Sequence, residues 1–160
     1  MNFAHYRLEK EEVVGQSAAE HCQNTARYTA LCLHDIGLCQ TGTLIGLVHD
    51  CGKFKTEFQD YLMDSNGVRG AVNHTFAGVR LLLERYHNTD DGMKKLAAEM
   101  MAFAVGSHHG MFDCVDEQHK SGFLHRLNKE GIGYKESKRN FLKECISEEE
   151  LDSLFEHSLQ

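Results

Sequence analysis

Apolar residues recur at helical spacing along most of this chain. From Ala18 to about Asp35 they fall on one face of a 3.6-residue period, and Ser17 with Glu20 supplies the capping-box pattern that starts such a helix. The spacing predicts a helix over 17–36. Leu44 to Val48 carries no polar side chain, as a buried segment should not, and predicts a short helix over 42–51 capped by Thr41 or Thr43. Further helices are expected over 53–63, 74–87 and 90–107, followed by a looser set from about 117 to 158. Phe76, Val79, Leu82, Leu83 and Tyr86 form one apolar stripe. Met93, Leu96, Met100, Met101, Phe103, Ala104 and Val105 form another, and both are expected in the core. Ser147 with Glu150 makes a second capping box ahead of a short amphipathic segment, Glu148 to His157. Strand-like alternation is hard to find, so the expected fold class is all-α.

Composition narrows the picture. The chain has 160 residues, enough for one domain with a real core, and its 41% hydrophobic content is ordinary for a globular protein. Proline is absent, and the 14 glycines sit largely between periodic segments, where helices would stop. No run of about eighteen apolar residues predicts a membrane span, and Met1 to Gln16 is too charged for a secretory signal, so a cytoplasmic protein is expected. Six cysteines, at 22, 32, 39, 51, 114 and 145, show no Cys-x-x-Cys spacing and should be reduced, mostly buried thiols rather than metal ligands. Any metal must then be held by histidine and carboxylate.

His49-Asp50 places a nitrogen and an oxygen ligand side by side, with Gly52-Lys53 just after. His21 lies upstream, His74 downstream in Asn-His-Thr-Phe-Ala-Gly, and His108-His109-Gly110 follows an apolar stretch. A rival pair, His34-Asp35-Ile36-Gly37, spells the same motif, but thirteen residues at about 100° each leave His34 roughly 220° round the helix from His21. Gly37 reads as the left-handed residue that ends this helix, leaving His34-Asp35 as a solvated helix end.

Five histidines with one carboxylate suit Mn, Fe, Co, Ni or Zn, are a poor home for Ca and only a fair one for Mg. Six protein ligands are too many for one catalytic ion that must keep an open position, but suit two ions bridged by Asp50. Five neutral histidines and one carboxylate carry −1, and two divalent ions bring the site to +3. Loading them takes the chain's formal charge from −7 to −3, so the metals supply locally the attraction for a phosphate that overall composition denies. Lys53 either adds a point charge for a phosphate oxygen or faces solvent. Such a pair of ions would make a nucleophile of water without a side-chain base and offset charge on the attacking and leaving oxygens at phosphorus. Phosphoester hydrolysis is the leading reaction class.

Together, Glu-His at 20–21, Gly-Leu-Val-His-Asp-Cys-Gly-Lys at 46–53 with Phe58-Gln59-Asp60-Tyr61-Leu62 behind it, Asn-His-Thr-Phe-Ala-Gly at 73–78 and Ser-His-His-Gly at 107–110 resemble the HD nuclease domain of type I CRISPR interference, within the HD phosphohydrolase superfamily. The resemblance covers about residues 17–115. It implies an HD-domain helical bundle of about six to eight helices around a central metal site, cutting single-stranded DNA with one or two divalent ions, Mn, Ni, Co, Fe or Mg. It also implies a superfamily 2 helicase, fused or separate, and the CRISPR Cascade surveillance complex as partners. Carried over by motif, His21, His49 and Asp50 hold one ion, and Asp50, His74, His108 and His109 the other. Asp50 and Lys53 are the catalytic pair, with Lys53 near the scissile phosphate.

Two departures qualify the resemblance. The family's later alanine-aspartate, which completes the first ion's shell, is missing, and the late candidates Asp152 and Asp116 lack its apolar context. No Gly-x-x-x-x-Gly-Lys-Thr loop occurs, so no helicase is present. The expectation is a single HD nuclease domain over 1–160, cut short at its carboxyl end, with incomplete metal occupancy. A basic groove with interleaved aromatics is absent, Lys94-Lys95 and Lys135 to Lys143 with Arg139 being modest patches, so strand capture falls to a helicase partner. Two other readings stay open: an HD phosphohydrolase acting on nucleotides or other small phosphoesters, and an inactive helical module that docks a partner.

Overall fold

The computed structural model describes residues 1–10, 12–64, 72–111, 122–129 and 132–160. Eight α-helices appear among them: α1 (Ala18–Cys32), α2 (Cys39–Val48), α3 (Thr56–Met63), α4 (Phe76–Leu82), α5 (Gly92–Gly106), α6 (Gly122–Leu127), α7 (Tyr134–Glu144) and α8 (Glu148–His157). The all-α reading holds for this body. Ahead of it stands an antiparallel hairpin that the periodicity did not predict, β1 (Phe3–Glu9) paired with β2 (Glu12–Ser17). Tyr6 and Leu8 do alternate with Arg7 and Glu9, but the connection runs through Lys10, at φ 49°, and not through the Asn-Gly or Asp-Gly that marks such a turn. No helix among the described residues is long and apolar enough to cross a membrane.

Local chemistry sets most helix ends. Ser17 caps α1 by accepting from the Glu20 amide at 3.1 Å, and Gly37 adopts the left-handed φ of 76° after a 3₁₀ turn over His34–Ile36. At α8 both halves of the Ser147–Glu150 box form. The expected threonine cap of α2 does not. The helix starts two residues or more ahead of it, at Cys39, and the Thr43 hydroxyl donates back to the Cys39 carbonyl at 2.9 Å, which satisfies it inside the helix. The helix expected over 74–87 is α4 continued by a π-helical turn, Leu83–His87.

The core runs through the centre of the bundle, from Cys22 and Ala26 of α1 and Leu44 and Val48 of α2 to Phe76 and Val79 of α4, Ala102 and Val105 of α5, Phe141 of α7 and Phe155 of α8. Phe54 meets Phe141 edge-on at 5.4 Å, and Tyr86 stacks on Phe155 at 3.8 Å. The α5 stripe corrects an expectation. Met101 and Val105 are buried, but Met93, Leu96, Met100 and Phe103 are exposed, Met93 by 70%. Those four follow a second helical line, and α5 turns its small residues Ala98 and Ala102 inward instead.

Close backbone approaches position the site. A Cβ on Gly46 would sit 2.5 Å from the Ala26 Cα, so this glycine lets α2 lie against α1 and brings the end of α2 beside His21. A Cβ on Gly52 would sit 2.0 Å from the His74 carbonyl, which accepts the Gly52 amide at 3.1 Å. That contact fixes the start of α4 against the turn after His49-Asp50.

Candidate metal centre

Asp50 ends the α2 segment with its carboxylate buried, 3% of the residue being exposed. Its Oδ2 lies 3.0 Å from Nε2 of His21 and 3.0 Å from Nε2 of His49, and Lys53 Nζ approaches it at 2.9 Å. Its Oδ1 faces Nε2 of His74 and of His108, each at 3.6 Å. His109 reaches His74 with an Nε2–Nε2 separation of 2.9 Å. All six residues expected as ligands are therefore gathered, in two clusters that share Asp50: His21, His49 and Asp50, and Asp50, His74, His108 and His109. Within each cluster the ligand atoms lie within 4.8 Å of one another.

The backbone orients the rings. His49 Nδ1 contacts the Gly46 carbonyl at 2.8 Å, His108 Nδ1 the Val105 carbonyl at 2.7 Å and His74 Nδ1 the Val72 carbonyl at 3.2 Å. A carbonyl only accepts, so Nδ1 carries a proton in each ring, and Nε2 is the nitrogen turned to the centre that would bind a metal. Burial pushes the His74 imidazole down to about 4, with Asp50 opposing. Burial also acts to lower His108, but Asp50 and the Val105 carbonyl hold it above its ordinary value. Burial acts to raise the Asp50 carboxyl, yet the imidazoles of His108, His21 and His49 hold it well below the usual carboxylate range. It is ionised.

The donor set fits divalent metal. Asp50 Oδ1 is buried without a hydrogen bond, and 3.6 Å is too long for one from either imidazole. Two donors about 2.1 Å from one ion are themselves roughly 3.0 Å apart at right angles and roughly 3.4 Å apart at a tetrahedral angle. The separations of 3.0 Å around Oδ2, 2.9 Å between His74 and His109, and 3.6 Å around Oδ1 fall about these values. The thiols next to the ligands are unsuited: burial pushes Cys51 up, and Cys22 is raised first by its contact with Cys145 and then by burial.

A family model described as the HD domain of Cas3 matches residues 5–156. The chain belongs to the Cas3 HD-domain family. A comparison with curated protein sequences gave no match. Membership supports a CRISPR-associated HD hydrolase of the nuclease or phosphohydrolase kind, and the gathered histidines and aspartate suit its divalent metals.

Within this Cas3 HD-family chain the rival pair stands apart. His34 and Asp35 touch each other at 3.1 Å on the surface, their side chains 72% and 100% exposed. Asp152, on α8, is held by a bidentate Arg85 and joins neither cluster; Asp116 and Cys114 lie outside the described residues. Lys53 does not face solvent: it is 6% exposed, paired with Asp50 and set 5.7 Å over the Phe58 ring. The basic patches are partly spent on ion pairs, Lys94 with Glu156 and Lys138 with Glu84.

Three residues at or near the site escaped the sequence reading as site residues. Lys55, 1% exposed, donates to the carbonyls of Asn73 and Ile132 at 3.1 Å each and pairs with Glu57, tying down the segment before His74. Gln59 accepts from the Phe3 amide at 2.8 Å and donates to the carbonyls of Phe3 at 3.0 Å and Lys53 at 2.7 Å, joining the hairpin to the turn after Asp50. His5 of β1 meets the His21 ring edge-on at 5.0 Å. Its imidazole is lowered by burial first, then by Lys53 and His21, with Asp50 opposing. An alternating His5, Arg7, Glu9 pattern was the one sequence trace of the hairpin that carries it.

Proposed function

We propose that this chain is a metal-dependent phosphodiesterase that cuts single-stranded DNA in CRISPR interference. The observation that carries this reading is the shared carboxylate: Asp50 turns one oxygen to His21 and His49 and the other, without a hydrogen bond, to His74 and His108. His21, His49 and Asp50 would hold one ion, and Asp50, His74, His108 and His109 the other, of Mn, Ni, Co, Fe or Mg. Bound divalent ions would supply the Lewis acidity that activates water and offsets charge at phosphorus.

The chain's own groups do the rest. The Gly46, Val105 and Val72 carbonyls keep the Nδ1 protons of His49, His108 and His74 away from the centre, so these rings need no reorientation to bind metal. Lys53 balances the buried Asp50 charge, and its ammonium would donate to a non-bridging oxygen of the scissile phosphodiester. A superfamily 2 helicase, fused or separate, recruited by the Cascade surveillance complex, would deliver the strand, which suits a chain of net charge −7.

The test is incubation of the chain with circular single-stranded DNA and Mn or Ni. Conversion of circles to linear fragments is the expected outcome. Phosphate release from nucleoside mono- or triphosphates with the DNA intact would replace this reading by a small-phosphoester hydrolase. Neither activity, together with no metal uptake, would leave a helical docking module.

A further inference from the structure

The two clusters are unequal. The second offers four protein ligands, whereas the first, among the described residues, offers three: His21, His49 and Asp50. A divalent transition ion held by protein generally takes at least four donors. Against the His21 ring, and outside the 4.8 Å grouping of the cluster itself, stands His5, brought from the hairpin rather than from the bundle.

We propose that His5 is the fourth protein ligand of the ion held by His21, His49 and Asp50, so that the amino-terminal hairpin is part of the metal centre. The proposal rests on the metal-dependent reading above and goes beyond its ligand set. Ring spacing supports it. Two imidazoles bound to one ion, about 2.1 Å from nitrogen to metal, have ring centres roughly 4.6 to 5.3 Å apart for angles between square and tetrahedral. His5 and His21 are 5.0 Å apart, inside this range with His21 and His49 at 5.2 Å and His74 and His109 at 5.0 Å, while the other ring pairs of the second cluster lie at 4.0 and 6.5 Å.

The strand is built to place this ring. Phe3 pairs with Ser17 and His5 with Gln16, so β1 carries one residue more than β2 across this step, a bulge at Ala4. Bulges bend a strand and re-aim the next side chain, and this one buries Ala4 in the core while His5 turns to His21. The backbone just ahead of the bulge is fastened to the bundle. The Asn2 carbonyl accepts from Ala18 at 2.7 Å, Asn2 donates twice to Glu144, and Gln59 brackets Phe3 from both sides. The ring itself stays exposed toward a cleft lined by Tyr6, Gly15, Gln16 and Glu20, which leaves it room to swing a nitrogen onto an ion.

The experiment counts metal on the whole chain. Wild type, His5→Phe, His5→Ala and His74→Ala are loaded with Mn, freed of excess ion by gel filtration and assayed for metal content, and Co(II) is titrated while its visible absorption is followed. Wild type should hold two equivalents. His5→Phe keeps an aromatic edge against His21 but offers no lone pair, and should bind one of the two ions at least tenfold more weakly, as should His5→Ala. His74→Ala should weaken the other ion, with a different change in the Co(II) spectrum. His5→Phe that binds both ions as wild type does would overturn the proposal, whether or not His5→Ala is impaired, because the ring would then act by packing. A wild type that takes up no ion would instead overturn the metal-dependent function itself. Thermal melts of the apo variants, expected to match wild type because His5 is exposed, separate ligand loss from misfolding.

Discussion

The chain writes His-Asp-x-Gly twice, fifteen residues apart, and the two copies have opposite fates. His34-Asp35 lies in a surface turn, each residue the other's partner. His49-Asp50 lies at the buried end of α2, with Asp50 in reach of four imidazoles and one ammonium. Even the glycines differ in purpose. Gly37 supplies a left-handed φ with open space around it, whereas Gly52 supplies room for the His74 carbonyl. The motif offers ligands, and convergence of distant segments makes a site: Asp50 becomes a centre because α1, the segment leading into α4 and the turn after α5 arrive there with one or two histidines each.

The comparison is tested most severely at the aspartates. Asp50→Ala should lower metal-dependent cleavage about a thousandfold or more, since several kcal/mol of charge stabilisation would go with the ions. Asp35→Ala should stay within about twofold in the same assay, being a surface change. His49→Ala and His34→Ala should split the same way, and an inactive His34→Ala beside an active His49→Ala would reverse the assignment. Gly52→Ala comes next. A methyl 2.0 Å from a carbonyl oxygen forces the His74 segment to move, and the variant should lose about 3 kcal/mol or more in urea unfolding. Gly37→Ala, strained only by its left-handed φ, should lose about 1 kcal/mol.

The smallest effect belongs to a pair remote from both motifs. Arg85 hydrogen bonds hold Asp152 below its ordinary carboxylate range, so the folded state favours the ionised form. Its contribution is fully present above the unfolded value of 3.8 and is lost as pH falls through the lower folded value. Solvent screening keeps it under about 1 kcal/mol. Asp152→Asn should therefore be slightly less stable than wild type at neutral pH, with the gap narrowing in acid urea melts. A gap that widens in acid would mean the carboxylate is not ion-paired.

The bundle and its histidines were legible because both rest on local rules: helical periodicity, serine caps, a left-handed glycine, and ligand types with telling neighbours. The hairpin was not, for lack of a turn signal at Lys10. The inner and outer lines of α5 could not be told apart either, since Met100 and Met101 are equally apolar and only the neighbouring helices select between them. Lys53 was legible as a catalytic candidate but not as buried, and Lys55 was not singled out at all, because their burial depends on partners supplied by the tertiary fold: Asp50 for one, carbonyls 18 and 77 residues away for the other.

Asn2 closes onto Glu144 across 142 residues of chain. During synthesis the first strand leaves the ribosome long before α7 exists, so the hairpin cannot be fully fastened until Glu144 has emerged. Closing so long a loop yields its contacts late, as chain connectivity requires. The strand that carries His5 can meet Ala18 and Gln59 early, but its clamp by Glu144 comes only with α7.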